Sequence, residues 1–271
     1  MLKCRVLLVF PILLAGCGAR SAQRTAQPGR DVTIALKPYF RELRTVRVIV
    51  NRDTLVLLFD TGGGATLITP AVAGRIGCRP YGRDAGYRMT GEPVEFQRCD
   101  SLALGFAGWS RRLAPIAVFD VNALLPAELP RVDGVLALDA FRGQVLTIDW
   151  PGQRLIVHTA QSSARALDAV GLPIRLATGE TGRMLTAFVQ VGGRRGDLWF
   201  LLDSGDLQGT LLDSHLQRDS LLVIRSDSLP ELRVGMRAAI QVPVQLGRFI
   251  VDGVLGTDYL RLGPVALDLR P

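Results

Sequence analysis

Asp60-Thr61-Gly62 and Asp203-Ser204-Gly205 are near-identical strings, each a carboxylate followed by a hydroxyl side chain and a glycine. One such string is a common turn. Two offer more, because carboxylates brought into contact cannot both ionise and hold one proton between them. The ionised member can take a proton from water while its protonated partner polarises a carbonyl, which is acid–base hydrolysis. The other reactive sets are thin. His158 and His215 are the only histidines and neither sits in a ligand cluster, so a histidine-based zinc site is not expected. Gly62-Gly63-Gly64 is not followed by the Gly-Lys-Ser/Thr of a phosphate-cradling loop, and no Gly-x-Ser-x-Gly elbow is present. No metal or organic cofactor is implied.

The segments around the two strings must position them. Val46–Val50 and Leu55–Phe59 flank Asn51-Arg52-Asp53, a hairpin pattern whose second strand delivers Asp60. Ala187–Val191 and Leu198–Leu202 flank Gly192–Asp197, a second hairpin that delivers Asp203. The repetition continues downstream. Asp133-Gly134-Val135-Leu136-Ala137-Leu138-Asp139 answers Asp252-Gly253-Val254-Leu255-Gly256-Thr257-Asp258, and Asp149 and Asp268 follow at equal distances. Matching series in one order make an internal duplication the organising fact. Short helices are predicted over Pro70–Ile76 and Leu211–Leu216, with a further helical turn after each Gly-Val-Leu. Alternation elsewhere predicts mainly antiparallel β-structure. Asp149 and Asp268 read as turn or pairing residues, and both histidines as surface or locally bonded ones.

On these residues the sequence resembles the aspartic proteases, specifically the bacterial retropepsin-like group with two fused repeats. The resemblance runs from about residue 33 to the end. It implies an all-β, bilobal pepsin/retropepsin-like fold, with a first lobe over 33–160 and a second over 161–271. It further implies an aspartic-type peptidase with Asp60 and Asp203 as the catalytic dyad, no metal, and a peptide or protein substrate bound as an extended strand. Thr61 and Ser204 would brace the two loops, and Gly62 and Gly205 would let the backbones approach. A flap is expected at Gly86–Gly91, with Tyr87 and Met89 at its tip, although an ordinary surface hairpin fits the same residues. Ala137 stands where its repeat partner is Gly256, and its methyl is expected to crowd the first aspartate loop. Asp206 adds an acid beside the second. These departures keep open a non-catalytic peptide- or partner-binding protein on the same fold, and a purely structural envelope scaffold.

The chain's first residues read as a targeting segment. Lys3 and Arg5 precede an apolar stretch, Val6–Leu14, too short to span a bilayer. Leu14-Ala15-Gly16-Cys17 resembles a bacterial lipobox, which implies a signal peptide over 1–16, lipidation of Cys17 and a linker over 17–32. Gly18 then points to the periplasmic face of the outer membrane in the bacterial cell envelope. Cys78 and Cys99 remain as an even pair for which a disulfide is plausible in an oxidising compartment, two separate thiols being the alternative. Losing Lys3 and Arg5, and no acid, takes the net charge from +7 down by two to +5. The arginines are scattered rather than clustered, so no nucleic-acid partner is expected. Two lobes in one chain imply a monomer, touching the membrane only through Cys17.

Overall fold

The computed structural model describes residues 28–168, 171–193, 196–214 and 244–271. The signal segment 1–16, Cys17, the linker as far as residue 27, and His215 lie outside the described residues.

The first hairpin pairs Arg44–Val50 with Asp53–Phe59. Alternate side chains of Arg44–Val50 are buried, as expected of a strand with one face on a core. Asn51 makes the turn at φ 56°, a left-handed conformation its short polar side chain tolerates. The second hairpin pairs Thr186–Gly193 with Gly196–Leu202. Each then receives a parallel strand from its own half: Gly134–Leu136 lies beside Asp53–Phe59, and Gly253–Leu255 beside Gly196–Leu202. The aspartates opening these segments fix the register. Asp133 Oδ2 accepts the Val56 N–H at 2.9 Å, and Asp252 Oδ2 the Trp199 N–H at 2.9 Å.

The helix predicted from Pro70 spans Pro70–Arg75, with Thr69 accepting the Val72 N–H as its cap and proline in the first turn. Helical turns also follow each Gly-Val-Leu, at Leu138–Phe141 and Thr257–Leu260. The helix predicted over Leu211–Leu216 begins later than expected, at Ser214, and its residues 215 and 216 lie outside the described residues. Thr210–Asp213 is a strand, paired with Gly253–Leu255 and Val244–Gly247. The repeat explains why. Thr66 and Thr210 are tied to equivalent acids, Asp139 and Asp258, so Asp213 corresponds to the cap Thr69 rather than to a residue within a helix. The helix Ala160–Ala166 was not anticipated; a capping box of Thr159 and Ser162 starts it.

Among the described residues the strands form a 13-stranded and a 6-stranded sheet. The smaller draws on residues 174–255. The larger draws on residues 32–157 together with the last strand, Val265–Asp268, which pairs antiparallel with Val145–Asp149. These two are repeat equivalents, so the duplicated segments pair with one another. Asp149 closes the turn by accepting the Gly152 N–H at 2.9 Å and Arg154 Nε at 2.8 Å. Asp268 holds Arg270 in the same way. Cys78 and Cys99 are joined by a disulfide, Cα–Cα 6.1 Å, at the base of the hairpin Tyr81–Tyr87/Pro93–Cys99. His158 is locally bonded through Nε2 to Thr147 Oγ1 at 2.8 Å. No helix among the described residues is long and apolar enough to cross a membrane.

Candidate active site

Each predicted aspartate sits just past the end of a buried central strand. Asp60 follows Phe59 and donates its N–H to Leu136 O at 3.0 Å; Asp203 follows Leu202 and donates to Leu255 O at 3.0 Å. The parallel strand of each half therefore fixes the height of its aspartate.

Cross-bracing then brings the two loops together. Thr61 Oγ1 donates to Leu202 O at 2.7 Å and accepts the Ser204 N–H at 3.0 Å. Ser204 Oγ donates to Phe59 O at 3.1 Å and accepts the Thr61 N–H at 3.1 Å. Both hydroxyl residues are fully buried, so each bond is made where water cannot replace it. Gly62 and Gly205 complete the approach. A Cβ on Gly62 would overlap the Asp203 carboxyl carbon, and one on Gly205 would overlap that of Asp60. The six residues Asp60, Thr61, Gly62, Asp203, Ser204 and Gly205 thus form one cluster at the junction of the halves.

Each carboxyl lies against the glycine of the opposite loop, and their surroundings are not equivalent. Burial raises the pKa of Asp60, opposed by Asp203 and by the N–H groups of Gly62 and Gly63, which reach Oδ1 at 2.9 and 2.8 Å. Burial raises Asp203 well above the usual carboxylate range, and the charges of Asp60 and Asp206 push the same way. Asp60 Oδ1 thus accepts two backbone N–H groups where Asp203 Oδ1 accepts only that of Gly205, at 2.8 Å. Among the described residues no group of three or more His, Cys, Asp or Glu is arranged to hold a metal ion.

The crowding expected from Ala137 is absent. Ala137 is fully buried, yet its N–H donates to Thr66 Oγ1 at 3.0 Å and the Asp60 loop keeps its bonds. A Cβ on Gly256 would meet the Gly209 carbonyl oxygen at 2.5 Å. The second aspartate loop is one residue longer, from Asp203 to Thr210 against Asp60 to Thr66, and its backbone fills the space that Ala137 uses.

The predicted flap residues part company. Met89 is partly buried with Leu201, Leu211 and Val254 of the second half, and its carbonyl accepts the Ile250 N–H at 2.9 Å. Tyr87 is 70 % exposed and is not part of that cluster. The hairpin tip thus bridges from the first half to the second. Three features escaped the sequence reading. Met184 lies against Gly64 and Gly86, between the first aspartate loop and the hairpin. Asp139 and Asp258 anchor Thr66 and Thr210; their place at the end of each repeated Gly-Val-Leu series was the available signal.

No protein-family model matches the chain, and no curated protein matches it. Among solved structures it is similar to Basic 7S globulin from soybean, with a TM-score of 0.51 at 10% identity over 89% of this chain and 93% of that one. It is also similar to edgp, with a TM-score of 0.53 at 9% identity over 90% and 94% of the two chains. The fold is the all-β, bilobal pepsin-like fold. The assignment to bacterial retropepsin-like lipoproteins is corrected: the similar structures are Basic 7S globulin and edgp. The physical reason lies in the motifs used. Asp-Thr/Ser-Gly and the apolar-apolar-Gly segment are what the two-lobed fold itself demands, so they mark the fold and not a subgroup.

Proposed function

We propose that the chain is an aspartic-type peptidase acting on extended peptide segments. The observation that carries this is the Asp60–Asp203 pair, brought together by loops that grip each other across the repeat. Asp60 takes a proton from water, whose oxygen bonds to the carbonyl carbon, while Asp203 gives its proton to the carbonyl oxygen. The tetrahedral diol collapses as Asp60 gives its proton to the nitrogen, the C–N bond breaks and Asp203 takes a proton back from one diol hydroxyl while the C=O bond re-forms. One carboxyl and one amine are released, and the pair again holds one proton.

A second reading is favoured by the comparisons: a peptide- or partner-binding protein that does not cut. Neither similar structure is named as a protease, and one is named a globulin. Purified protein lacking residues 1–27, incubated with a diverse peptide library from acidic to neutral pH, separates the two. Cleavage that falls at least about a thousandfold in both Asp60→Asn and Asp203→Asn supports the peptidase. Cleavage that persists in either variant removes the dyad mechanism. Peptides retained by wild type and never cut establish the binding reading.

A further inference from the structure

Asp206 is the acid beside the dyad for which the chemistry above has no use. It follows Gly205 on the loop that carries Asp203 and is 8 % exposed. Its Oδ1 accepts the Gln208 N–H at 3.2 Å; its Oδ2 is buried and has no hydrogen-bond partner among the described residues. A serine or asparagine would serve the Gln208 N–H without stranding an oxygen, and a stranded buried oxygen is costly. Local stability therefore gives no reason for an acid here.

The two aspartate loops differ at this same position. In the first, the residue after the Asp-Thr-Gly triplet is Gly63, whose N–H at 2.8 Å supports an ionised Asp60. In the second it is Asp206, whose negative charge opposes an ionised Asp203. The internal duplication placed the two carboxyls alike, and this position makes them unlike.

We propose that Asp206 is a positioning residue for the proton of the dyad: its carboxylate repels an ionised Asp203, so the shared proton stays on Asp203 and Asp60 serves as the base, increasingly so towards neutral pH. This inference rests on the dyad reading. The charged groups bearing on Asp206 are Asp203 on its own loop and Asp258 at the start of the helix Thr257–Leu260, with Asp60 beyond Asp203. All are acids. Burial pushes Asp206 itself up to about 6, against its backbone hydrogen bonds, and Asp258 adds in the same direction. Below that pH Asp206 is neutral and repels nothing. Above it, removing the last proton from the dyad would create a further negative charge beside an existing one. The effect therefore falls on the alkaline side of the dyad's titration.

Carbon-13 NMR of protein labelled at the aspartate carboxyl carbons follows these groups whether or not the protein cuts peptides. In Asp206→Asn the last deprotonation of the Asp60/Asp203 pair should move to lower pH by about half a unit or more, the scale of a screened like-charge contact. The surface variant Asp268→Asn should leave it in place. Where peptide cleavage is measurable, the alkaline limb of kcat/KM should move with it. A last deprotonation unmoved in both Asp206→Asn and Asp206→Ser overturns the inference. A carboxyl shift without cleavage by wild type upholds this inference and removes the peptidase reading. Cleavage by wild type with no carboxyl shift does the reverse.

Discussion

Gly62 and Gly205 set the separation of the two carboxyls, because each lies where a Cβ would occupy the opposite aspartate's carboxyl group. Gly205→Ala should therefore displace Asp60 rather than merely stiffen the loop. A destabilisation of about 1–3 kcal/mol is expected, as for overpacking of a filled interior, with peptide binding reduced as well. Chemical denaturation and peptide titration would check both, and an unchanged affinity would show that the loops have slack. The hydroxyl pair works differently. Thr61→Ala leaves the Ser204 N–H without its acceptor inside a dry junction, at a cost of about 1–3 kcal/mol. Thr61→Ser keeps the oxygen and should recover most of that loss in the same assay.

At the scale of elements, the halves repeat their hydrogen bonds more faithfully than their packing. Ala137→Gly should cost about 1 kcal/mol or less, since only a methyl and some backbone restriction are lost. Gly256→Ala should cost several times more, because its methyl would meet the Gly209 backbone. Thermal unfolding of the two variants tests the asymmetry directly. The anchor acids give a pH prediction. Burial pushes Asp139 up to about 6 from 3.8, against its bonds from Thr66. The folded state then binds more protons than the unfolded one between those values, so stability falls as pH rises through that window. The loss attributable to this group is complete above about pH 6 and on the order of 1–3 kcal/mol. In Asp139→Asn that part of the decline should vanish, as the difference between the two stability–pH curves would show. Much of this architecture was legible in the residues. Both hairpins followed from alternation, and the helix from Pro70 and the turns after Gly-Val-Leu from their places in the repeat. The strand Thr210–Asp213 was misread because Leu211-Leu212 suits a buried strand and a helix face equally, and only the cross-bond to Asp258 decides. The meeting of the two aspartates could be inferred from the duplication, but the space that admits Ala137 could not, since it depends on one residue of loop length. Asp206 was visible as an intruding charge; its orphaned oxygen needed coordinates.

For the whole molecule, the disulfide and the last strand hold together parts that are distant along the chain. Cys78–Cys99 closes a loop with a sequence separation of 21 around the base of the hairpin that carries Met89. Replacing both cysteines with alanine should lower stability by about 2–4 kcal/mol, measured by denaturant unfolding, because the unfolded chain regains the freedom the link removes. A smaller loss confined to the hairpin, seen as local amide exchange without a change in global unfolding, would place the link's effect on the hairpin alone. The pairing of Val265–Asp268 with Val145–Asp149 has a consequence for how the protein is made. A ribosome delivers residues in order, so the sheet begun by the first half is complete only after Val265–Asp268 has left the exit tunnel. Asp60 is synthesised early, while its partner aspartate and the closing strand arrive late. A growing chain that has released Asp60 alone therefore holds half of the cluster, and the two carboxyls can meet only after Asp203 has followed.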